Sequence, residues 1–153
     1  MKTLLVMRTF AALGVLVLAL ASRASDTHLT NGIALKGHDP VAYFTVGQPQ
    51  RGIDELRLAH AGAIYLFAST ANRDAFAANP GRYLPQYGGY CAFGVSRGYK
   101  ADIDPVAFSI VDGKLYLNYN REVQKQWQQE QVRLIPQADE RWDAVRATQK
   151  VHR

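Results

Sequence analysis

Apolar and polar residues alternate with a period of two along two stretches of this chain, and both read as β-hairpins. In the first, residues 55–68, Leu56, Leu58 and His60 alternate on one strand and Ala63, Tyr65 and Phe67 on the other. A turn at Ala61-Gly62 sets Leu58 opposite Tyr65 and Leu56 opposite Phe67. In the second, residues 108–117, Asp112-Gly113 lies between apolar runs, a strong signal for a two-residue turn. That turn pairs Ile110 with Leu115 and Phe108 with Leu117, which puts all four on one apolar face. Each hairpin leads into a helical pattern. Ser69 is the N-cap of a helix over Thr70–Ala78 with Phe76 turned to the core, and Asn79-Pro80-Gly81 stops it. Asn120 caps a helix from Arg121, where Val123 and Trp127 stand on one face. Pro136 suits the first turn of a last helix, in which Ala138, Trp142 and Val145 make one stripe.

The segments between these elements are less regular. Asp26, Thr27, Asn31 and Gly32 are turn formers. Gly37-His38-Asp39-Pro40 is a turn, because proline pushes the residue before it out of the helical region, and Val41–Phe44 follows as a short strand. From Gln86 to about Asp104 no period is sustained, and a segment of that length without evident secondary structure is often functional. The pattern as a whole predicts an α+β fold of two antiparallel β-hairpin–helix units packed together, with about three helices.

The two halves echo each other. Asp39-Pro40-Val41-Ala42-Tyr43 returns as Asp104-Pro105-Val106-Ala107-Phe108. Gly62 and Gly113 stand fifty-one positions apart, and at that same offset Ile64-Tyr65-Leu66 meets Leu115-Tyr116-Leu117, Ser69 meets Asn120, Phe76 meets Trp127, and Leu84-Pro85-Gln86 meets Ile135-Pro136-Gln137. Two origins fit this internal pseudo-repeat: a duplicated module, or two units that use similar parts. Either way Tyr87–Lys100 becomes the connector between them, and Cys91 falls near a seam, where sites often form.

Composition changes the picture at the two ends of the chain. The 153 residues suffice for one domain with a real core. Lys2 and Arg8, the apolar run from Thr9 to Ala21 and the Ala19-Leu20-Ala21 exit make a signal peptide over residues 1–21, with cleavage after 21 or after 24. The run is too short for a membrane span, so the expected product is exported, periplasmic or secreted, with no stable membrane anchor. A single domain over 25–148 and a solvated tail at 149–153 follow. Loss of Lys2 and Arg8 lowers the formal charge from +5 to a mild +3. The remaining basic residues are scattered, which argues against nucleic acid as a partner.

The one cysteine, Cys91, lies in Tyr87-Gly88-Gly89-Tyr90-Cys91-Ala92-Phe93-Gly94. It has no partner for an internal disulfide, and export leads to an oxidising compartment. Three readings stand side by side. Cys91 is a reactive thiol serving redox chemistry with a small oxidant or an external thiol, activated by cations such as Arg82, Arg97 or Lys100 and flanked by Tyr87, Gly88, Gly89 and Tyr90 as binding residues. Alternatively Cys91 joins His38 and His60 in a non-catalytic site for a transition metal ion. In the third, the cysteine is inert in a structural or ligand-binding module. Tyr116 and Tyr119 are further hydroxyls for the thiol's surroundings, Asp39 and Asp104 organise turns, Trp127 and Trp142 pack, and His28 and His152 are given no role. No Gly-x-Ser-x-Gly, no phosphate-binding glycine loop and no His-Glu-x-x-His is present, which disfavours hydrolase, nucleotide and zinc-protease chemistry.

These residues also resemble the YHS domain family. Asp39-Pro40-Val41, Tyr65-Leu66-Phe67-Ala68-Ser69, Phe76, Asn79-Pro80 and Arg82-Tyr83-Leu84 follow its order. Pro85 to Ala92, Gly113 to Tyr119, Trp127, Ala138-Asp139 and Trp142 extend the resemblance to a subgroup of small exported YHS domain-containing (seleno)proteins. It implies a YHS-like fold over nearly all of the mature chain, and in some members selenocysteine holds the place of Cys91. Metal-associated members carry cysteines where this chain has Ala42, Ala68 and Asn72, none of which ligates a soft metal well.

Overall fold

A computed structural model of the protein describes residues 26–153, so the expected leader lies outside the described residues. Strands β1 (Leu29–Thr30) and β2 (Ile33–Ala34) pair antiparallel around Asn31-Gly32, where both φ angles are positive. Leu35, Lys36 and Gly37 then form a left-handed turn with φ of 51°, 50° and 81°. Helix α1 (Ala42–Thr45) follows where a strand is expected from the sequence. The reason is Asp39: its carboxylate accepts the backbone N–H groups of Val41 (2.8 Å) and Ala42 (3.3 Å), which nucleates a helical turn in residues whose own preference is extended.

The first hairpin is β3 (Ile53–His60) and β4 (Ala63–Phe67), and Leu58 faces Tyr65 as the alternation predicts. Leu56 does not face Phe67; the register shifts between Ile53 and Arg57, and Ile53 takes that place. Ser69 caps α2 (Thr70–Ala78) by accepting Asn72 N–H at 3.1 Å, and Pro80 begins the short α3 (Pro80–Tyr83). The stretch without a sequence period is fully built: a turn over Gln86–Gly89, α4 (Ala92–Ser96) and β5 (Lys100–Ala101).

The second hairpin, β6 (Asp104–Val111) with β7 (Lys114–Asn118), has the expected pairs Ile110–Leu115 and Phe108–Leu117. Its apolar face is shorter than expected, because Ile110 near the turn is 40% exposed. Leu115 and Leu117 are buried with Tyr43 and Ile103, while the other face carries buried Ala107, Ser109 and Tyr116. On that second face Gln128 Nε2 donates to Ser109 Oγ at 3.0 Å from α5 (Arg121–Arg146). One continuous helix of 26 residues replaces the two expected, and it runs through Pro136. Asn120 caps it by accepting Val123 N–H at 2.8 Å. Buried Trp127, Leu134, Ala138 and Val145 hold its inner stripe, each large side chain worth roughly 1.5–3 kcal/mol, against a proline penalty of about 3 kcal/mol. The residues after it are mostly exposed, and within them β8 (Val151–His152) pairs parallel with β5.

The architecture is thus mixed α+β. Among the described residues, a four-stranded sheet in the order β1-β2-β4-β3 and two two-stranded pairs pack with five helices. The two hairpins match in strand length, and both turns use a positive-φ pair, Ala61-Gly62 and Asp112-Gly113. Their register shifts fall at corresponding places, Ile53/Arg57 and Asp104/Phe108. The Asp-Pro-Val-Ala echo does not match in space. Each aspartate accepts the N–H two residues on, Asp39 from Val41 and Asp104 from Val106, but Asp39–Ala42 leads into a helix whereas Asp104–Ala107 lies within β6.

Candidate functional site

Tyr87, Gly88 and Gly89 repeat the left-handed geometry of Leu35–Gly37, with φ of 54°, 62° and 80°. The two turns close alike, Tyr90 N–H to Tyr87 O at 3.1 Å and His38 N–H to Leu35 O at 3.0 Å. Gly88 is required twice over. Its φ suits glycine, and a Cβ there would sit 1.9 Å from the carbonyl oxygen of Asp26. Its own carbonyl accepts His28 N–H at 2.8 Å, so the turn anchors the segment before β1. Tyr87 is tied to α5 through its hydroxyl, which donates to Asp139 at 2.8 Å; burial and that carboxylate raise its pKa. Of the proposed binding residues, Tyr87, Gly88 and Gly89 are therefore structural anchors around the thiol segment.

Cys91 follows two residues after this turn. It is 2% exposed and lies among Leu35, Tyr43, Ala101, Ile103, Leu115 and Leu117. Its N–H reaches Ala101 O at 3.2 Å, and it bridges to Leu117, so it ties the connector to β5 and β7. Burial pushes the thiol up from its ordinary value. Hydrogen bonding from the backbone of Gly94, the Asn118 amide and the backbones of Tyr119 and Phe93 pulls the other way. Asn118 Nδ2 stands 3.8 Å from the sulfur. Asn118 is itself fully buried, and its Oδ1 has no partner among the described residues. The cysteine borders a pocket of about 270 Å³ shared with Phe93, Tyr99, Tyr119, Val123 and His152.

The cations expected to activate the thiol are engaged elsewhere. Arg82 lies over Tyr83 and Arg97 over Phe93. Lys100 donates to the carbonyls of Arg146 and Thr148, both at 2.8 Å, and stands 5.0 Å from the Tyr90 ring. His38 and His60 have other partners as well. His38 Nδ1 is turned to Leu35 O at 3.1 Å, and its half-buried ring titrates lower than usual because burial disfavours its charge. His60 packs against Tyr65 and Phe76. Among the described residues no three of His, Cys, Asp and Glu are placed to hold a metal ion, so the Cys91/His38/His60 set is not assembled.

A second cluster had no signal in the sequence. His28 Nε2 lies 2.9 Å from Asp102 Oδ1, and Lys36 Nζ donates to Asp102 Oδ2 at 2.9 Å. Burial lowers the pKa of His28 and keeps it neutral against the pull of Asp102. Burial opposes ionisation of Asp102, but the bonds from Lys36 and Ile103 N–H outweigh it, and the carboxyl is held below its usual range. The group lines a polar pocket of about 430 Å³ with Asn31, Tyr90, Val151 and Arg153. His28 and Asp102 are far apart in the chain and only the fold joins them, which is why His28 reads as roleless in the sequence. Strand β8 separates the two pockets: Val151 lines the His28 pocket, His152 the Cys91 pocket, and Arg153 borders both.

No family model, curated protein or solved structure matches the chain. No helix of the described residues is long and apolar enough to cross a membrane.

Proposed function

We propose that the protein is an exported YHS-like module, built from two related hairpin–helix units, whose working group is the Cys91 thiol. The thiol serves redox chemistry with small oxidants that reach it through its pocket. What supports this reading is the place of Cys91 at the edge of a pocket, with the Asn118 amide 3.8 Å from its sulfur. A thiol is a weak acceptor, so a buried amide turned towards it serves an anionic sulfur better than a neutral one. Burial keeps the resting thiol protonated and slow.

The step balances with a hydroperoxide. The sulfur attacks the terminal oxygen and the O–O bond breaks. Water or an alcohol leaves, and a sulfenic acid remains on Cys91. With no second cysteine in the chain, return to the thiol needs two external thiols, the first forming a mixed disulfide and the second releasing it. Cys91 is only 2% exposed, which favours small molecules over a protein disulfide as the oxidant.

Reaction of the native protein with hydrogen peroxide and with iodoacetamide tests the reading. Cys91 is expected to react while the fold is intact, with a rate that rises as pH passes the ordinary thiol value of 9.0. A sulfur that reacts only after denaturation refutes the redox reading and leaves the inert-cysteine one.

A further inference from the structure

We propose that the polar pocket around Asp102 is a binding site for a small organic carboxylate, which Lys36 and Arg153 hold and whose binding is coupled to a proton on His28. The inference goes beyond the thiol reading and stands without it. At about 430 Å³ the pocket has the size that encloses a small organic molecule. Leu29 and Val151 give it apolar walls, and Asn31, Lys36, Asp102 and Arg153 give it polar ones. Asp102 is already engaged: its carboxylate meets His28 Nε2 and Lys36 Nζ at 2.9 Å and accepts Ile103 N–H at 2.7 Å. The cations are not matched in the same way. Lys36 Nζ stands 2.9 Å from both Asp102 oxygens, which leaves a third N–H for another acceptor. Arg153 has no hydrogen bond or ion pair among the described residues. With His28 neutral, the side chains lining the pocket carry two positive charges against one negative, and a monocarboxylate cancels the excess.

His28 supplies the coupling. Its ring is buried and stands edge-on to Tyr90, with centroids 5.3 Å apart. The charged groups around it are Asp102, Lys36 and Arg153. Nε2 faces Asp102 and carries the proton of the neutral ring, while Nδ1 is buried with no partner among the described residues. Burial, Lys36 and Arg153 disfavour a second proton and hold the pKa below 6.5 against the pull of Asp102. That second proton gives the ring a charge and, at Nδ1, a donor with nothing to accept it. A carboxylate in the pocket offsets the charges of Lys36 and Arg153 and is an acceptor of the kind that Nδ1–H lacks. Binding therefore raises the pKa of His28. By linkage, the carboxylate binds more tightly as pH falls through that range, with the proton taken from solvent.

Titration calorimetry of the purified protein with benzoate and butyrate tests the site, and the neutral amides benzamide and butyramide serve as controls of the same shape. Each carboxylate is expected to bind about tenfold or more tightly than its amide, and about tenfold more tightly at about pH 5.5 than at about pH 8. Arg153→Gln, at an exposed position, should weaken carboxylate binding about fivefold. His28→Asn should flatten the pH profile. Absence of binding by both carboxylates, equal affinity for acid and amide, or unchanged affinity in Arg153→Gln overturns the proposal. A pH-independent affinity, or a pH dependence that survives in His28→Asn, overturns the part given to the proton. The nuclear magnetic resonance signal of the His28 ring checks that part in the unaltered protein: it should titrate at a higher pH with benzoate than without, and an unmoved titration overturns the coupling as well.

Discussion

Replacing Asp39 with alanine removes one acceptor from four donors at once: the N–H groups of Val41, Ala42 and Ala68 and the amide of Asn72. The site is fully buried, so no water replaces the lost carboxylate. Hydrogen bonds to a charged group are worth about 1.5–3 kcal/mol each, and a buried donor left unpaired costs about 1–3 kcal/mol. These do not add in a shared network, and single substitutions rarely exceed about 4–5 kcal/mol. A loss of about 4 kcal/mol is therefore expected for Asp39→Ala, a large part of the 5–15 kcal/mol that stabilises a typical domain. Asp39→Asn keeps one oxygen and turns an N–H₂ towards existing donors, so about half that loss is expected. Urea unfolding followed by the fluorescence of buried Trp127 reads the effect. With a slope of about 2 kcal/mol per molar, Asp39→Ala lowers the midpoint by about 2 M. The control is Asp104, which stands before proline in the same short motif but accepts only Val106 N–H at 3.1 Å. Its alanine variant should lose less than about 1 kcal/mol, as one partly buried hydrogen bond implies. Equal losses at the two sites, or a loss at Asp39 below about 1.5 kcal/mol, refute the reasoning that four donors converge on one carboxylate.

Gly88→Ala places a methyl group against the Asp26 carbonyl at 1.9 Å, so it should cost about 2–4 kcal/mol and expose the amide of His28 to hydrogen exchange. Unchanged stability would show that the segment before β1 does not depend on this turn. His28 is buried with its folded pKa below 6.5, so its contribution to stability is complete above that value and is lost as pH falls through the folded value. The urea midpoint should thus decline below about pH 6.5, and less so in His28→Asn. Parallel pH profiles for the two proteins would remove His28 as a cause. Pro136→Ala restores an N–H for the carbonyl four residues earlier in an exposed part of α5, and should raise stability by up to about 3 kcal/mol. A loss of stability there would mean that the proline's bend is needed for packing.

What could be read from the sequence was what neighbouring residues decide among themselves. Asp112-Gly113 sets its own hairpin register, and Ser69 and Asn120 announce their helices because each cap bonds only a few residues away. The failures share a cause of the opposite kind. Val41–Phe44 reads as strand from β-branched and aromatic residues, but a carboxylate whose other ligands lie in Ala68 and Asn72 turns it into a helix. The connector from Gln86 carries no period because a left-handed turn, a five-residue helix and a two-residue strand are each too short to show one. Pro136 predicts a helix start by local preference and is overruled by buried residues on both sides of it, Leu134 and Ala138. Cys91 stood out in the sequence by being single, but the amide turned towards its sulfur, that of Asn118, comes from the end of β7. The pairing of His28 with Asp102 was invisible for the same reason.

Strand β8 carries a consequence for how the molecule breathes. It is a panel two residues long, held by a parallel pairing with β5 that includes Asp102 N–H to His152 O at 2.8 Å, and it is the common wall of both pockets. Detaching it breaks few bonds compared with unfolding the hairpins, so its opening belongs to the low-energy fluctuations of the native state. The frequency with which solvent meets the Cys91 pocket is then set by this small panel and is largely separate from the global stability of the domain. The same event uncovers the His28 pocket, so the two chambers are aired together.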